Sequence, residues 1–406
     1  MRPGIGAVVG VTLSLVTWFP PAAPPSAPPG EPAPPPASGP VEVTEQRSET
    51  STTYRHPNGA RTVVLTTGPV RVQRGNGWAP LDLALHREPD GAVRAGAHPY
   101  LLWLSGGGAA ADAASVRAPD GTNTALAWDG PLPAPQVDGT RATYPGARPG
   151  ADLVVEATRT GFVASLRRSL APPAAPPDHI ATASGLGAPA APPAPLVLRV
   201  TRPGAASSLH PATAPVPGGG PSDMFAAAPA LSQVAANGGA TLPFDTSVLS
   251  TAAGSDLSSE PELRVGSSEG GSVARGFLSW DLSRLGGERV SSATLRLYSD
   301  WSATCEARGW EVWSSPGVGP ATRWGNQPAG ERAWASSTET RGHDPACGAG
   351  WVSIDLTDLV RSWIQAGVGV GTIMVRATDE GDPLSSKRFG SGDGLHVPAL
   401  GITLEP

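Results

Sequence analysis

Apolar and polar residues alternate along much of the C-terminal part of the chain. Leu278 and Trp280 fall on one side of a predicted strand, and Ser279 falls on the other side. The same period of two recurs in four further segments, which are residues 293–297, 352–356, 373–377 and 400–404. Strands with one apolar face form antiparallel sheets that pack on a common core. The pattern therefore predicts a β-sandwich of jelly-roll type over residues 241–406.

One short helix interrupts this run of strands. Thr357 is a suitable N-cap residue, and Leu359, Val360 and Trp363 follow it on one side of the predicted helix. Asp355 and Asp358 flank the helix start, where carboxylates favour the helix dipole. We therefore interpret these two carboxylates as capping residues and not as a catalytic pair.

The chain before residue 241 is also rich in strand and turn signals. Residues 41–170 contain short apolar runs separated by Asn-Gly and Asp-Gly pairs, which predict an N-terminal β domain. Residues 171–240 hold Ala/Pro tracts and Gly runs, and we interpret them as a linker with one isolated strand at residues 196–200. The predicted fold class is all-β, with two β domains joined by this Pro/Ala/Gly-rich linker.

The first 40 residues have the pattern of an export signal. Arg2 precedes an uncharged apolar run over residues 5–19, and small residues follow, which predicts a signal peptide over residues 1–27. An uncleaved N-terminal anchor is the alternative. Residues 28–40 continue a proline-rich stretch and predict a disordered, extended spacer. We therefore expect a secreted, extracellular protein that has no membrane span once the signal is removed.

Composition and charge exclude several classes of protein. The 406 residues include 51 glycines and 46 prolines, which is too many for a coiled coil or a helical bundle. The net charge is −6, and the acidic excess falls entirely after residue 240. A chain without a cationic excess is not expected to bind nucleic acid.

The two cysteines, Cys305 and Cys347, lie 42 positions apart in the C-terminal region. An even count in an exported chain favours one disulfide. A zinc site is the alternative, but His343 would supply only a third ligand, and tetrahedral zinc needs four. We therefore predict a disulfide and no metal site at these residues.

The sequence contains no convincing catalytic group. Residues 266–270 fit the G-x-S-x-G pattern around Ser268, but a nucleophile elbow needs a strand before it and a helix after it. Here a β-strand follows. The seven histidines do not form a metalloprotease motif. We therefore assign no catalytic residue and predict that the protein is not an enzyme.

The C-terminal region resembles a known bacterial family. The resemblance is carried by Phe244–Thr246, Leu263–Gly266, Phe277–Ser283, Ser292–Tyr298, Trp324–Pro328, Gly350–Val360 and Lys387–Ser391. Together these segments are similar to the DNRLRE domain over residues 241–406. The resemblance implies a β-sandwich grouped with carbohydrate-binding module family 96. Such modules occur in exported proteins and beside polysaccharide-degrading enzymes.

A carbohydrate partner would need flat apolar rings and directed donors. Eight of the twelve tryptophans lie at or after residue 280, and indoles stack well on sugar rings. Trp313 is predicted to face away from the core, beside Glu311, and is the tryptophan predicted to bind a ligand by stacking on a sugar ring. Arg376, Lys387 and Arg388 lie on two consecutive strands and are predicted ligand-binding residues if those strands pair. The alternatives are core tryptophans and solvated surface charge.

No cofactor is expected, apart from a structural Ca²⁺ that Asp379, Glu380 and Asp382 could hold.

Three functions agree with these features. A secreted, non-catalytic protein that binds cell-wall or extracellular polysaccharide is the main hypothesis. A structural or adhesion module that contacts other proteins on the cell surface is the first alternative. A polysaccharide lyase or hydrolase is the second alternative.

Overall fold

The computed structural model describes residues 39–118, 121–168, 196–203, 207–211, 230–237 and 243–406. The predicted signal peptide and nearly all of the predicted spacer lie outside these residues. So do the Ala/Pro tracts of the predicted linker. Within the described part of the chain, no helix has the length and apolar character that a membrane span requires.

Over the described residues the protein is an all-β structure with one short α-helix, as the alternating pattern predicts. The strands before residue 240 are β1 (Val41–Glu42), β2 (Ser51–Arg55), β3 (Arg61–Thr66), β4 (Arg71–Arg74), β5 (Gly77–Pro80), β6 (Asp82–Arg87), β7 (Val93–Ala97), β8 (Leu101–Leu104), β9 (Gly108–Ala109), β10 (Asp112–Arg117), β11 (Asn123–Ala127), β12 (Pro131–Leu132), β13 (Gln136–Asp138), β14 (Arg141–Arg148), β15 (Ala151–Ala157), β16 (Gly161–Arg168), β17 (Val197–Thr201), β18 (Ser208–Pro211) and β19 (Ala230–Asn237).

The elements after residue 240 form the C-terminal sandwich. They are β20 (Phe244–Leu249), β21 (Glu262–Ser267), β22 (Val273–Asp281), β23 (Val290–Ser302), β24 (Trp310–Ser314), β25 (Arg332–Ser337), β26 (Gly350–Asp355), α1 (Thr357–Gln365), β27 (Val370–Ala377), β28 (Lys387–Gly390) and β29 (Ala399–Leu404).

Two sheets in the N-terminal half enclose one apolar core. One sheet has the strand order β18-β17-β11-β10-β8-β7-β6, and the other has the order β13-β14-β15-β16-β19. Leu104 and Leu126 of the first sheet and Leu153 and Phe162 of the second are fully buried in the same cluster. The strand predicted at residues 196–200 is present as β17, but it is not isolated, because β17 pairs with both β11 and β18.

The C-terminal sheet curls on itself around a larger core. Its order is β1-β2-β3-β29-β23-β28-β21-β22-β27-β24-β25, with β20 paired to β22 and β26 paired to β23. Leu278, Trp280, Leu297 and Ile373 are fully or almost fully buried inside it. These residues occupy the apolar positions of their alternating segments, so the alternation in the sequence marks the inner face correctly.

The helix begins one residue earlier than its predicted cap implies. Leu356 occupies the N-cap position, and Thr357 is the first helical residue. The backbone N–H of Thr357 donates to Asp355 Oδ1 at 2.8 Å. Asp355 therefore accepts a hydrogen bond at the helix start, which agrees with its interpretation as a capping residue.

The N-terminal strands join the C-terminal sheet directly. β3 pairs with β29 along its whole length, with Leu65 opposite Leu400. Residues Pro40–Pro406 accordingly form one compact unit. The predicted boundaries at residues 170 and 240 stay predictions, but residues 41–66 contribute three strands to the sheet that the C-terminal region builds.

Two buried acidic residues lie near this junction. Burial raises the pKa of Asp245 to about 7 and the pKa of Asp393 to about 6. The Gly392 N–H donates to Asp245 at 2.6 Å, and the Thr160 hydroxyl donates to Asp393. Asp393 is therefore held by a residue from the N-terminal half. Across the same junction, the Arg159 guanidinium donates to the Gly394 carbonyl at 2.7 Å.

Ser268, at the centre of the G-x-S-x-G pattern, lies in the turn between β21 and β22. Gly266 has a φ of 91°, and a Cβ atom there would collide with the Ser385 carbonyl. Two backbone segments approach closely at the first glycine of the pattern, which explains why this position has no side chain.

Candidate functional site

Aromatic side chains form a strip on the outer face of β23 and β26, in which Trp351 is exposed and Tyr298 is half-buried. Leu297 and Val352 face the core, so their neighbours Tyr298 and Trp351 face outward. These two residues are directly opposite each other in the sheet. Their rings meet edge to face, with centroids 5.3 Å apart. The register of two strands, and not a loop, therefore fixes their relative position.

His396 completes this strip. Its imidazole stacks on the Tyr298 ring, with centroids 3.5 Å apart and an angle of 20° between the planes. Its Nδ1 atom lies 3.6 Å from Asp300 Oδ1. We refer to Tyr298, Trp351 and His396 as the aromatic strip. Because His396 covers one face of the Tyr298 ring, the exposed ring of the strip is the Trp351 indole, and indoles are rings on which sugars stack.

Trp351 is the most exposed tryptophan of the part of the chain that the structure describes. Its side chain and backbone together are 38% exposed, and the Arg296 guanidinium lies 4.7 Å from its ring centre. Arg296 is itself exposed and lies on the same strand as Tyr298. An indole beside a guanidinium can combine ring stacking with hydrogen-bond donation to a ligand.

Charged residues lie beside the strip. Burial raises the pKa of Asp300 to about 6, and the negative charge of Glu262 adds to that effect, while His396 opposes it. Arg388 lies 3.5 Å from Glu262 and stacks over Trp301 at 4.8 Å. The predicted residue Arg388 therefore belongs to the same outer face as the strip.

Trp313 and Arg376 form a second cluster on the outer face of β24 and β27. Glu311 and Arg376 are opposite each other in the sheet, and their side chains approach to 3.4 Å. The Trp313 N–H donates to Glu311 at 2.8 Å, and the Arg376 guanidinium lies 4.5 Å from the indole centre. We refer to Glu311, Trp313 and Arg376 as the Trp313 cluster.

The Trp313 indole is largely occupied by the protein itself. It packs in a small apolar cluster with Phe277 and Met374. A methyl group added at Gly330 would lie 3.1 Å from Cε3 of Trp313, so the backbone of that loop runs against the ring. Trp313 does face away from the main core, but its contacts leave less ring surface for a ligand than Trp351 has.

Residues 241–403 match the model of carbohydrate-binding module family 96. This family 96 region contains both the aromatic strip and the Trp313 cluster. None of the curated proteins matches the chain.

Similarity to solved structures is weak. An exo-β-1,3-galactanase from Phanerochaete chrysosporium with galactose is 10% identical, with 89% of this chain and 81% of that chain covered and a TM-score of 0.16. A single-residue variant of that galactanase with β-1,3-galactotriose is 12% identical, with 90% and 80% covered and a TM-score of 0.13. At such scores neither structure bears on the fold or the ligand of the family 96 region.

The predicted residues of the family 96 region do not converge on one patch. β27, which carries Arg376, pairs with β22 and β24. β28, which carries Lys387 and Arg388, pairs with β21 and β23. The condition for their convergence, that these two strands pair, is therefore not met. Because the sheet curls, Arg376 lies on the outer face among β22, β27 and β24, whereas Arg388 lies on the outer face among β21, β28 and β23.

Lys387 points into the protein. It is 1% exposed, and its Nζ atom donates to Thr340 Oγ1 at 2.8 Å. Burial lowers the pKa of Lys387 to about 8, the positive charge of Arg308 lowers it further, and Asp382 opposes both. Lys387 was predicted to contact a ligand together with Arg388, but alternate residues of β28 face opposite sides, and its amine lies inside.

The predicted Ca²⁺ ligands already have protein partners. Glu380 forms two hydrogen bonds of 2.7 Å with Arg275, and Asp382 lies 2.8 Å from Arg308. Asp379 accepts a hydrogen bond from the Gly381 N–H. A cation at this loop would compete with two arginines for these oxygens.

Cys305 and Cys347 form the predicted disulfide, with Cα atoms 5.7 Å apart. Asp344 lies close to both sulfur atoms. Sulfurs that are joined to each other are not thiolates, so this group does not have the ligand chemistry of a zinc site. The disulfide joins the loop after β23 to the turn before β26, and these are the two strands that carry Tyr298 and Trp351.

Tyr298, Trp351 and His396 are not among the residues that were predicted to bind a ligand. The sequence did indicate that Tyr298 and Trp351 face outward, because each is next to a residue of the predicted inner face. His396 carries no such signal, because it follows β28 in an irregular segment. Only the folded chain places its ring on Tyr298.

Proposed function

We propose that this is a secreted, non-catalytic protein that binds an extracellular or cell-wall polysaccharide through the aromatic strip. The observation that carries the proposal is the exposed indole of Trp351 beside Tyr298 and His396, within the region that matches a carbohydrate-binding family. Flat, exposed rings bind the apolar faces of pyranose units, and neighbouring charged groups bind their hydroxyls.

The arrangement on this face favours binding over catalysis. Asp300 and Glu262 are carboxylates beside the strip, and they pair with His396 and Arg388 respectively. Hydrolysis of a glycosidic bond needs an acid and a second carboxylate on opposite sides of that bond, whereas the strip is one open face of a sheet. Binding without bond cleavage is the function that such an open platform can perform.

Affinity electrophoresis of the full chain in gels that contain single polysaccharides would test this proposal. We expect at least one polysaccharide to retard the wild type, and we expect the double variant Tyr298→Ala/Trp351→Ala to migrate as in a gel without polysaccharide. Trp103→Ala is a matched control, because Trp103 is a partly exposed tryptophan outside the family 96 region. Equal retardation of wild type and double variant would refute the strip as the binding surface.

Incubation of the same polysaccharides with the protein would test the absence of catalysis. We expect no new reducing ends and no unsaturated products. Release of either product by the purified wild type would contradict a purely binding function.

A further inference from the structure

The loop between β28 and β29 is held in place by residues of the N-terminal half. It spans residues 391–398, and we refer to it as the His396 loop. At its end, the Thr67 backbone N–H donates to the Pro398 carbonyl at 3.2 Å. Near its start, the buried Asp393 carboxylate accepts hydrogen bonds from two threonine hydroxyls of the turn between β15 and β16. Both ends of the loop therefore contact segments that lie before the family 96 region.

Arg159 holds the middle of the His396 loop. It lies in the turn between β15 and β16 and is half-buried. Its guanidinium donates to the Gly394 carbonyl at 2.7 Å and to the Leu395 carbonyl at 3.1 Å, and it also donates to the Pro69 carbonyl at 2.8 Å. A different nitrogen atom makes each of these bonds, so the planar guanidinium is fixed in orientation as well as in position. The residue that follows Leu395 is His396.

His396 contacts both other rings of the aromatic strip. Its imidazole stacks on the Tyr298 ring and meets the Trp351 indole edge to face, with centroids 6.0 Å apart in the second contact. The His396 loop contains no strand or helix, so no strand register fixes the position of this imidazole. A shift of the carbonyl groups that Arg159 holds would therefore move the imidazole relative to its two partners.

We propose that Arg159 is a positioning residue for carbohydrate binding, because it holds the His396 loop so that His396 supports Tyr298 and Trp351. This inference rests on the proposed function of the aromatic strip and adds a contribution from the N-terminal half. Arg159 does not contact the ligand. It acts through the backbone of the loop and the imidazole, which keep the exposed indole in its binding orientation.

The NMR signals of the His396 ring provide a readout that needs no ligand. The full chain is labelled with ring-¹³C histidine, and the His396 signal is identified by its loss in His396→Ala. The ring currents of Tyr298 and Trp351 displace this signal from that of a solvent-exposed histidine. We expect Arg159→Ala to move the His396 signal toward the solvent-exposed value. A signal that stays at its wild-type position would overturn the proposal.

A double-variant comparison tests whether Arg159 acts through His396. Gels that contain soluble β-glucan, xylan, pectin or glycol chitin identify the polysaccharide that retards the wild type most, and isothermal titration with it gives dissociation constants. We expect Arg159→Ala and His396→Ala each to raise the constant at least about threefold. The double variant should resemble His396→Ala, because no imidazole remains to be positioned. Additive effects of the two substitutions would overturn the proposal.

Two further variants control for a loss of folding, which urea denaturation would detect. Arg159→Lys keeps the charge, but an ammonium is a point donor and cannot replace the planar fork, so we expect intermediate values of the signal and the constant. It carries the same test if Arg159→Ala does not fold, and a His396 signal identical to wild type would then refute the proposal. Arg141→Ala removes an exposed arginine of the same sheet that pairs with Glu156 at 3.1 Å, and both readouts should stay unchanged.

The outcomes distinguish this proposal from the proposed function. If Trp351→Ala weakens binding but Arg159→Ala and His396→Ala do not, the aromatic strip remains the binding surface and the positioning role is refuted. If none of the four polysaccharides retards the wild type, the proposed function fails, and the role of Arg159 in binding fails with it. A displaced His396 signal together with weaker binding in Arg159→Ala would support both.

Discussion

The aromatic strip and the Trp313 cluster are two outward-facing groups that use the same kinds of residue. Each has an indole with a guanidinium over it, at 4.7 Å for Trp351 and 4.5 Å for Trp313. They differ in what else the indole contacts. Trp313 donates to Glu311 and packs beneath the loop at Gly330, whereas Trp351 leaves 38% of its surface exposed.

This difference shows that an outward-facing tryptophan beside an arginine is not sufficient evidence for a binding site. A ring that already contacts the protein on several sides stabilises the fold, and a ligand would have to displace those contacts. A ligand that covers the exposed part of a ring displaces only water, and removal of water from apolar surface is favourable. We therefore expect a tryptophan-to-alanine substitution to reduce stability at Trp313 and to reduce binding at Trp351.

Loss of the disulfide should have the largest effect and should act mainly on the strip. Cys305→Ser/Cys347→Ser opens a loop that joins the ends of β23 and β26, and the chain-entropy model gives a loss of about 4 kcal/mol in unfolding free energy. Urea denaturation with intact and reduced wild type as references would measure it. We expect weaker polysaccharide retention as well. Unchanged stability and retention would mean that strand pairing alone holds the strip.

Trp313→Ala should destabilise the protein without weakening binding. The substitution leaves a gap beside Phe277 and Met374 and removes the hydrogen bond to Glu311, so we expect the unfolding free energy to fall by about 2 kcal/mol. Urea denaturation would measure this change, and affinity electrophoresis would compare retention. Folded Trp313→Ala that is no longer retained would reverse the roles assigned to the two groups.

Trp351→Ala should weaken binding without destabilising the protein. Loss of one stacked indole is expected to cost about 1.4 kcal/mol of binding free energy, which is about a tenfold change in the dissociation constant. Isothermal titration with the polysaccharide that retards the wild type would give this value. Trp351→Phe, which keeps an aromatic ring, should recover part of the affinity. Equal affinity of Trp351→Ala and wild type would argue against the strip.

Asp300→Asn should give the smallest change, seen as an altered pH dependence of stability. Because the folded-state pKa of Asp300 is raised to about 6, ionisation opposes folding, and this carboxyl lowers the stability of the wild type as pH rises from about 4 to 6. Asparagine removes that loss. We expect the variant to gain at most about 1 kcal/mol relative to wild type at about pH 7, since the carboxyl is partly exposed.

Denaturation of both proteins at several pH values between about 4 and 7 would test this expectation. The raised pKa values of Asp245 and Asp393 add a slope of the same sign to both proteins, so only the difference between the two curves is informative. Curves that stay parallel over this range would contradict the assigned role of Asp300.

Local pattern predicted the fold class and the disulfide well. The alternation around Trp280 and Leu297 identifies the inner face, because the side-chain period of a strand is two and burial selects one face. The pairing of Cys305 with Cys347 follows from their number and from the expected export of the chain. Such features depend on neighbours in the sequence or on simple counts.

Convergence between distant segments could not be predicted in the same way. Arg376 and Lys387 are close in sequence, yet β27 and β28 pair with different strands because the sheet curls between them. Lys387 also points inward, since alternate residues of β28 face opposite sides and only the pairing decides which side is solvent. A correct strand assignment was therefore insufficient to predict the site.

The sequence by itself determined that this chain is a β protein with a tryptophan-rich C-terminal sandwich and one disulfide. The tertiary structure decided which rings meet and which remain exposed, as in the stacking of His396 on Tyr298. It also decided that residues 41–66 border the C-terminal core. The physical reason is that strand alternation is a local property of the chain, whereas ring contacts and clefts depend on which distant strands share hydrogen bonds.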